Sequence, residues 1–170
     1  MTIERGIPLI TALAAAALLL SACSSPDTDD RRVTDGRTSQ WDKNAGAPEA
    51  SAFMNVTAPK AATDVKGAVQ VNPQEDIYLL SFVTGEKNAE GIAEDLRSEE
   101  PLKANKVDFA PDRELFEHLG LAEPQTLKGV RSAGVCPPCV KDDRRKKVQW
   151  IDIYVQALKD DQARVYLKAF

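Results

Sequence analysis

The sequence predicts an α+β fold, a small antiparallel sheet with one or two helices packed on one of its faces. Three patterns within residues 61–170 support this class. Two apolar runs joined by a turn indicate a hairpin, a stretch with apolar residues at helical spacing follows it, and two alternating runs end the chain as a C-terminal β-hairpin. A sheet that carries helices against one face is the simplest packing of these elements.

The first 22 residues have the composition of a secretory signal peptide. A charged start precedes the apolar run "IPLITALAAAALLL", which is shorter than the roughly 20 residues that span a membrane. Leu20, Ser21, Ala22 and Cys23 follow this run and resemble the lipobox of bacterial lipoproteins. The resemblance implies that Cys23 carries diacylglycerol and becomes the first residue of the mature chain. The alternative is an ordinary signal peptide that is cut near Ala22.

Residues 23–60 have the composition of a linker. They are rich in Ser, Thr, Asp, Gly, Ala and Pro and show no sustained period, and such a segment is flexible, with a reach of about 30 Å. Trp41 and Phe53 could instead dock on the domain. The predicted organisation is a signal peptide at residues 1–22, a lipid-anchored linker at 23–60 and one α+β domain at 61–170.

The domain is predicted to open with a hairpin and a helix. Residues 65–71 and 76–84 form its strands, and the second is apolar on both faces, which is typical of an interior strand. A helix with one buried face follows, because apolar residues stand at i, i+3, i+4 and i+7; these are Ala89, Ile92, Ala93 and Leu96.

The middle of the domain is less regular. A short second helix is predicted within residues 111–121, since Leu115, Phe116 and Leu119 share a face and Gly120 can end it. Residues 122–147 show no clear period, so we expect mostly loop there, with one short strand at 127–130.

The side-chain pattern of the last two strands predicts the register between them. Side chains on one face must meet side chains on the same face, so the numbers of paired residues have an even sum. A three-residue loop at 159–161 sets that sum and so decides which residues pair. Such a loop needs one residue in the left-handed backbone conformation, and Asp161 can adopt it. The core face then pairs Val155 with Val165, Ile153 with Leu167 and Ile151 with Ala169. The outer face pairs Trp150 with Phe170, Asp152 with Lys168 and Tyr154 with Tyr166.

The outer face of this hairpin is the predicted binding face. It combines an aromatic stripe with charges at its edges, a mixture that is typical of interaction surfaces. Its residues are Trp150, Asp152, Tyr154, Arg164, Tyr166, Lys168 and Phe170. The alternative is that another segment covers the stripe and forms a second small core.

The chain has three cysteines. With Cys23 assigned to lipid, Cys136 and Cys139 of "CPPC" form an even pair in an exported chain, which predicts a small disulfide loop or a pair of free thiols. A thioredoxin-like exchange site places its first cysteine after a buried apolar strand and at the start of a helix, whose N-terminus stabilises the thiolate. "TLKGVRSAGV" is at best a short strand and "KDDRRKK" has no apolar face, so exchange through these cysteines is the second hypothesis for the function.

No other chemistry is indicated by the residues. Two cysteines and His118 do not complete a four-ligand zinc site, and no catalytic motif or cofactor fingerprint occurs, so we expect no metal, cofactor or catalytic residue. A net charge of −4 gives no reason to expect a nucleic-acid partner.

The chain as a whole resembles small exported lipoproteins of high-GC Gram-positive bacteria. The resemblance rests on the lipobox, "AATDVKG", "DIYLLSFVTGE" and the terminal "ARVYLKAF", and it implies no activity. We therefore expect a non-enzymatic protein, anchored to the outer face of the cell membrane through Cys23, that binds an envelope protein or a cell-wall component through the outer face of the hairpin.

Overall fold

The computed structural model describes residues 38–98, 100–104 and 113–170. The predicted signal peptide, Cys23 and the linker as far as residue 37 lie outside these ranges. Within them, no helix is both long enough and apolar enough to cross a membrane.

The described residues form one antiparallel sheet of seven strands, and the predicted α+β class is confirmed. Its order is β1-β2-β3-β7-β6-β5-β4. The strands are β1 (Gln40–Trp41), β2 (Thr63–Val71), β3 (Ile77–Gly85), β4 (Lys103–Ala104), β5 (Val130–Val135), β6 (Ile151–Ala157) and β7 (Gln162–Ala169). The helices are α1 (Ala47–Met54) and α2 (Glu86–Asp95), and shorter 3-10 helices lie at Phe116–Leu119, Pro124–Thr126 and Asp143–Arg145.

Both α-helices contribute to the main core against one face of the sheet. The predicted apolar face of α2 is confirmed, since Ala89, Ile92, Ala93 and Leu96 all join that core. β3 lies between β2 and β7, as its two apolar faces predicted. Its residues Leu80 and Phe82 are fully buried in the main core, whereas Leu79 is buried in a second cluster on the opposite face.

The prediction of a flexible linker is wrong for residues 40–60. Strand β1 pairs with β2, and α1 buries Ala50 and Met54 completely in the core. Phe53 stacks on Tyr78 with ring centroids 3.8 Å apart, so the alternative of docked aromatic residues is correct. The segment has too few apolar residues to show a helical period. Its ends are nevertheless defined, by Pro48 in the first turn and by Asn55, which ends α1 in the left-handed conformation.

The predicted register of the C-terminal hairpin is confirmed at every pair. Val155 lies opposite Val165 and Tyr154 lies opposite Tyr166, and the other pairs of the two strands have the same register. Trp150 and Phe170 exchange two backbone hydrogen bonds of 3.2 Å. Asp160 and Asp161 both adopt positive φ, 57° and 54°, and only the second of these had been predicted.

Two predictions for the middle of the domain need correction. The short helix is a 3-10 helix that Gly120 ends with φ of 69°, while residues 111 and 112 lie outside the described part. The strand predicted at 127–130 is instead β5, which begins at Val130. Its pattern was weak because Gly134 has no side chain. A Cβ at that position would overlap the ring of Trp150, so glycine lets the indole lie against the strand.

Arg145 is the largest fully buried side chain in the described residues. All five N–H groups of its guanidinium have acceptors. Nε donates to the carbonyl oxygen of Met54 at 2.9 Å, and Nη2 donates to that of Asn55 at 3.1 Å. Nη1 and Nη2 donate to the carboxylates of Asp142 and Asp95, each at 2.6 Å. A further bond of 3.2 Å reaches the carbonyl oxygen of Asp95.

This cluster joins three parts of the chain that are far apart in sequence. Met54 and Asn55 stand at the end of α1, Asp95 is the last residue of α2, and Asp142 lies in the connection between β5 and β6. A cation at two helix C-termini also compensates the carbonyl groups that remain unpaired there. Hydrogen bonds from Arg144, followed by those from Arg145, hold the pKa of Asp142 well below its ordinary value.

We expect Arg145→Ala to lower the free energy of unfolding by about 3–5 kcal/mol, because it leaves the buried carboxylate of Asp142 without the partner that is buried beside it. Arg144→Ala is the matched control. Arg144 is exposed and its loss leaves the bond between Arg145 and Asp142 in place, so we expect a clearly smaller cost than for Arg145→Ala. Urea unfolding of the three chains measures both values, and equal costs for the two variants would contradict this account.

Candidate functional site

The outer face of the C-terminal hairpin is covered by residues 113–127, here called the cover segment. Leu115 and Phe116 of this segment pack with Leu79, Tyr154 and Tyr166 in the second buried cluster. Tyr154 is 9% exposed and Tyr166 is 2% exposed. The predicted binding face is therefore wrong at its centre, and the alternative of a second small core is correct. An open stripe of aromatic side chains would leave too much apolar surface in water.

The edges of the predicted face have separate contacts. Asp152 and Lys168 form an ion pair of 2.7 Å, each about one quarter exposed. Arg164 pairs instead with Asp64 of β2, at 2.7 Å. Trp150 remains 36% exposed, and its indole N–H donates to Asp152 at 2.8 Å. Phe170 is half-buried.

The two tyrosines connect the cover to the sheet. The hydroxyl of Tyr154 accepts a hydrogen bond of 3.2 Å from the Gln125 amide of the cover segment, whereas the hydroxyl of Tyr166 donates to Gln156 of β6, within the sheet, at 3.1 Å. Burial raises the pKa of Tyr154 to about 12, so its hydroxyl stays neutral at physiological pH. Phe116 meets Tyr166 edge to face with centroids 5.3 Å apart. These contacts fix the cover segment over the hairpin.

Glu123 holds the cover segment together from within. Its Oε1 accepts hydrogen bonds from the backbone N–H groups of Phe116 and, at 3.1 Å, Glu117. Glu123 as a whole is only 7% exposed. Burial raises the pKa of the Glu123 carboxyl, although the two N–H bonds act in the opposite direction.

A cavity of about 290 Å³ remains between the cover segment and the hairpin. Its lining combines apolar side chains with two cations, a carboxyl and an amide; the residues are Ile77, Arg113, Leu115, Phe116, Glu123, Gln125, Lys168 and Phe170. We call it the cover pocket. Of its residues, sequence reasoning had placed only Lys168 and Phe170 in a candidate site. The others gave no functional signal: Leu115 and Phe116 have the pattern of core residues, and a buried glutamate such as Glu123 has the same sequence context as an exposed one.

A second, more open cavity of about 420 Å³ adjoins the cover pocket and shares Arg113 and Leu115 with it. One wall is formed by Trp41 and His118, whose parallel rings are stacked at 3.9 Å. In the described residues no three metal-binding side chains are grouped to hold an ion. The single histidine of the chain is thus part of an aromatic wall.

Cys136 and Cys139 lie apart from these cavities, at the end of β5. In the structure they are joined by a disulfide with Cα atoms 5.2 Å apart. The strand that precedes them has six residues, so it is longer than the sequence suggested. Cys23 lies outside the described residues.

Comparison of the chain with protein-family models, with curated proteins and with solved structures found no match.

We expect Glu123→Gln and Glu123→Ala to differ in stability. The Gln variant keeps an acceptor oxygen for the two N–H groups, whereas the Ala variant leaves them unpaired at a cost of about 1–3 kcal/mol. Because the folded-state pKa of Glu123 is raised, the contribution of its carboxyl is fully present below the unfolded pKa and is lost as pH rises through the folded value. The Gln variant should therefore gain stability relative to the wild type as pH rises.

Urea unfolding at pH values below and above about 4.3, the ordinary Glu pKa, measures this difference. Glu117→Gln removes an exposed carboxylate from the same segment and serves as the control. A Gln variant that loses as much stability as the Ala variant would show that Glu123 does not act through its acceptor oxygen.

Proposed function

We propose that this chain is a lipid-anchored protein on the outer face of the cell membrane that binds a small amphiphilic anion in the cover pocket. The proposal rests on the lining of that pocket, which places apolar side chains beside the cations Arg113 and Lys168. A concave site where apolar and polar side chains converge is a common form of small-molecule site, and the volume of about 290 Å³ is just below the usual range of about 300–1,000 Å³.

The apolar part of a ligand would pack between the cover segment and the end of the hairpin. Leu115 and Phe116 are buried in the second cluster and therefore form a rigid wall. The aromatic ring of Phe170 also lines the pocket. A flat or branched apolar body of modest size fits this combination.

The charge of the pocket favours an anionic group on the ligand. Arg113 is exposed and has no hydrogen-bond or ion-pair partner among the residues that the structure describes. Lys168 is already paired with Asp152 at 2.7 Å, and Glu123 uses Oε1 for two backbone N–H groups. We therefore assign the anion to Arg113, with Lys168 as a secondary cation.

Binding is favoured over catalysis by the side chains that line the cover pocket. Among the described residues of that lining there is no serine, cysteine or histidine, and the carboxyl that they do include, Glu123, already holds the cover segment together through two backbone N–H groups. The lipobox resemblance at Cys23 supports the anchor. Loss of membrane association in Cys23→Ala is the expected result, and a variant that still partitions with membranes would contradict this part of the proposal.

Anilinonaphthalene sulfonate, an aromatic anion, is a suitable probe for the cover pocket. We expect the full chain to bind it saturably at one site. Arg113→Gln should weaken binding about tenfold, since losing one charge-assisted contact costs roughly 1.4 kcal/mol. Fluorescence titration measures the affinity, and near-UV circular dichroism verifies that each chain is folded.

The matched control is Lys147→Gln, which removes the same charge from an exposed residue that does not line the pocket. Equal affinities of the Arg113 and Lys147 variants would contradict the assigned anion site. Binding that does not saturate would contradict the pocket itself.

A further inference from the structure

The two cysteines of the disulfide loop differ in exposure. Strand β5 ends at Val135 and leads directly into Cys136, which is half-buried, whereas Cys139 is exposed. The Sγ atom of Cys136 accepts a hydrogen bond of 3.3 Å from the backbone N–H of Cys139. The two sulfurs are therefore chemically unequal.

The backbone of this loop is held by bonds other than the disulfide. The N–H of Val140 donates to the carbonyl oxygen of Cys136 at 3.2 Å, and that of Asp142 donates to Pro137 at 2.9 Å. Asp142 is in turn fixed by Arg145 at 2.6 Å. The disulfide closes a ring of only four residues, so its opening frees little chain. The loop can keep its shape in both redox states.

The charged run that follows the disulfide loop is positive on balance. Lys141, Lys146 and Lys147 are exposed there, against one exposed carboxylate, Asp143, and none of the four has an ion-pair partner among the residues that the structure describes. Positive charge and a backbone N–H donor both stabilise a cysteine thiolate relative to its thiol. The same features make Cys136 a good leaving group when the disulfide is attacked at Cys139.

We propose that Cys136 and Cys139 form a thiol–disulfide exchange site that oxidises an exposed dithiol of a partner protein. A thiolate of the partner attacks Sγ of Cys139, the S–S bond breaks, and Cys136 leaves as the thiolate. The second thiol of the partner, after losing its proton, then attacks its own sulfur in the mixed disulfide and displaces Cys139. Two electrons and two protons pass from the partner to this pair, which ends as a dithiol, while the partner gains a disulfide.

This activity is separate from ligand binding, because no residue of the cover pocket takes part in it. It can therefore fail while the proposed binding function stands. The structural alternative is a disulfide that only braces the loop, and such a disulfide is normally slower to exchange in the folded protein than in the unfolded chain.

The test uses the full chain with Cys23→Ser, so that of its three cysteines only Cys136 and Cys139 remain. Dithiothreitol is the dithiol probe, and mass spectrometry after alkylation follows the reaction. We expect exchange in the folded chain to be at least about tenfold faster than in the same chain unfolded in urea, because only the folded loop stabilises the leaving thiolate. The reduced chain should keep its circular dichroism spectrum and its cooperative unfolding.

A monothiol probe, reduced glutathione, locates the attacked sulfur. We expect peptide mapping to find glutathione attached to Cys139 in about tenfold excess over Cys136, because Cys139 is the more exposed residue. Lys146→Gln with Lys147→Gln should slow the exchange, whereas Lys159→Gln, in the loop between β6 and β7, should not. Folded-state exchange no faster than in urea, unfolding on reduction, or attack on both sulfurs equally would overturn the proposal.

Discussion

The buried guanidinium of Arg145 is the interaction on which the arrangement of this domain depends. A cation removed from water is costly unless its charge and all of its donors are compensated. Here five N–H groups meet two carboxylates and three backbone carbonyl oxygens. The partners come from α1, from α2 and from the connection between β5 and β6, so satisfying one side chain fixes three segments around one point. The shape of the disulfide loop follows from that geometry.

A second constraint comes from strands that are apolar on both faces. β3, β6 and β7 bury one face under the two helices, and their opposite face carries Leu79, Tyr154 and Tyr166, which also need cover. The cover segment has no regular helix long enough to shield that face, and it is held instead by Glu123 and by the bond from Gln125 to the Tyr154 hydroxyl. The cover pocket lies between this irregular segment and the side chains of Lys168 and Phe170. The proposed site is thus a consequence of how the second face is closed.

The elements that could be predicted from the sequence are those whose signal is local. The hairpin register followed from the alternation of side chains over a few residues, and α2 followed from four apolar positions in two turns. The missed features depend on distant partners. Arg145 lies in "KDDRRKK", which has the composition of a solvated surface, and its bonds to Met54 and Asn55 span 91 and 90 positions of sequence. α1 has little periodicity of its own and forms against Gly67, where a Cβ would overlap the backbone of Ala47. Glu123 likewise acquires its role only when the cover segment folds.

Hydrogen exchange of the backbone amides of Asp142 and Arg145, in the oxidised and reduced chains, tests most directly whether the Arg145 cluster holds this connection. Their N–H groups donate to the carbonyl oxygens of Pro137 and Asp142 at 2.9 and 3.0 Å. Protection reports the free energy needed to open those bonds. If Arg145 sets the geometry, the two amides keep the same protection when the disulfide is reduced. A loss of protection on reduction, confined to residues 136–148, would show that the disulfide holds the connection and would contradict the account.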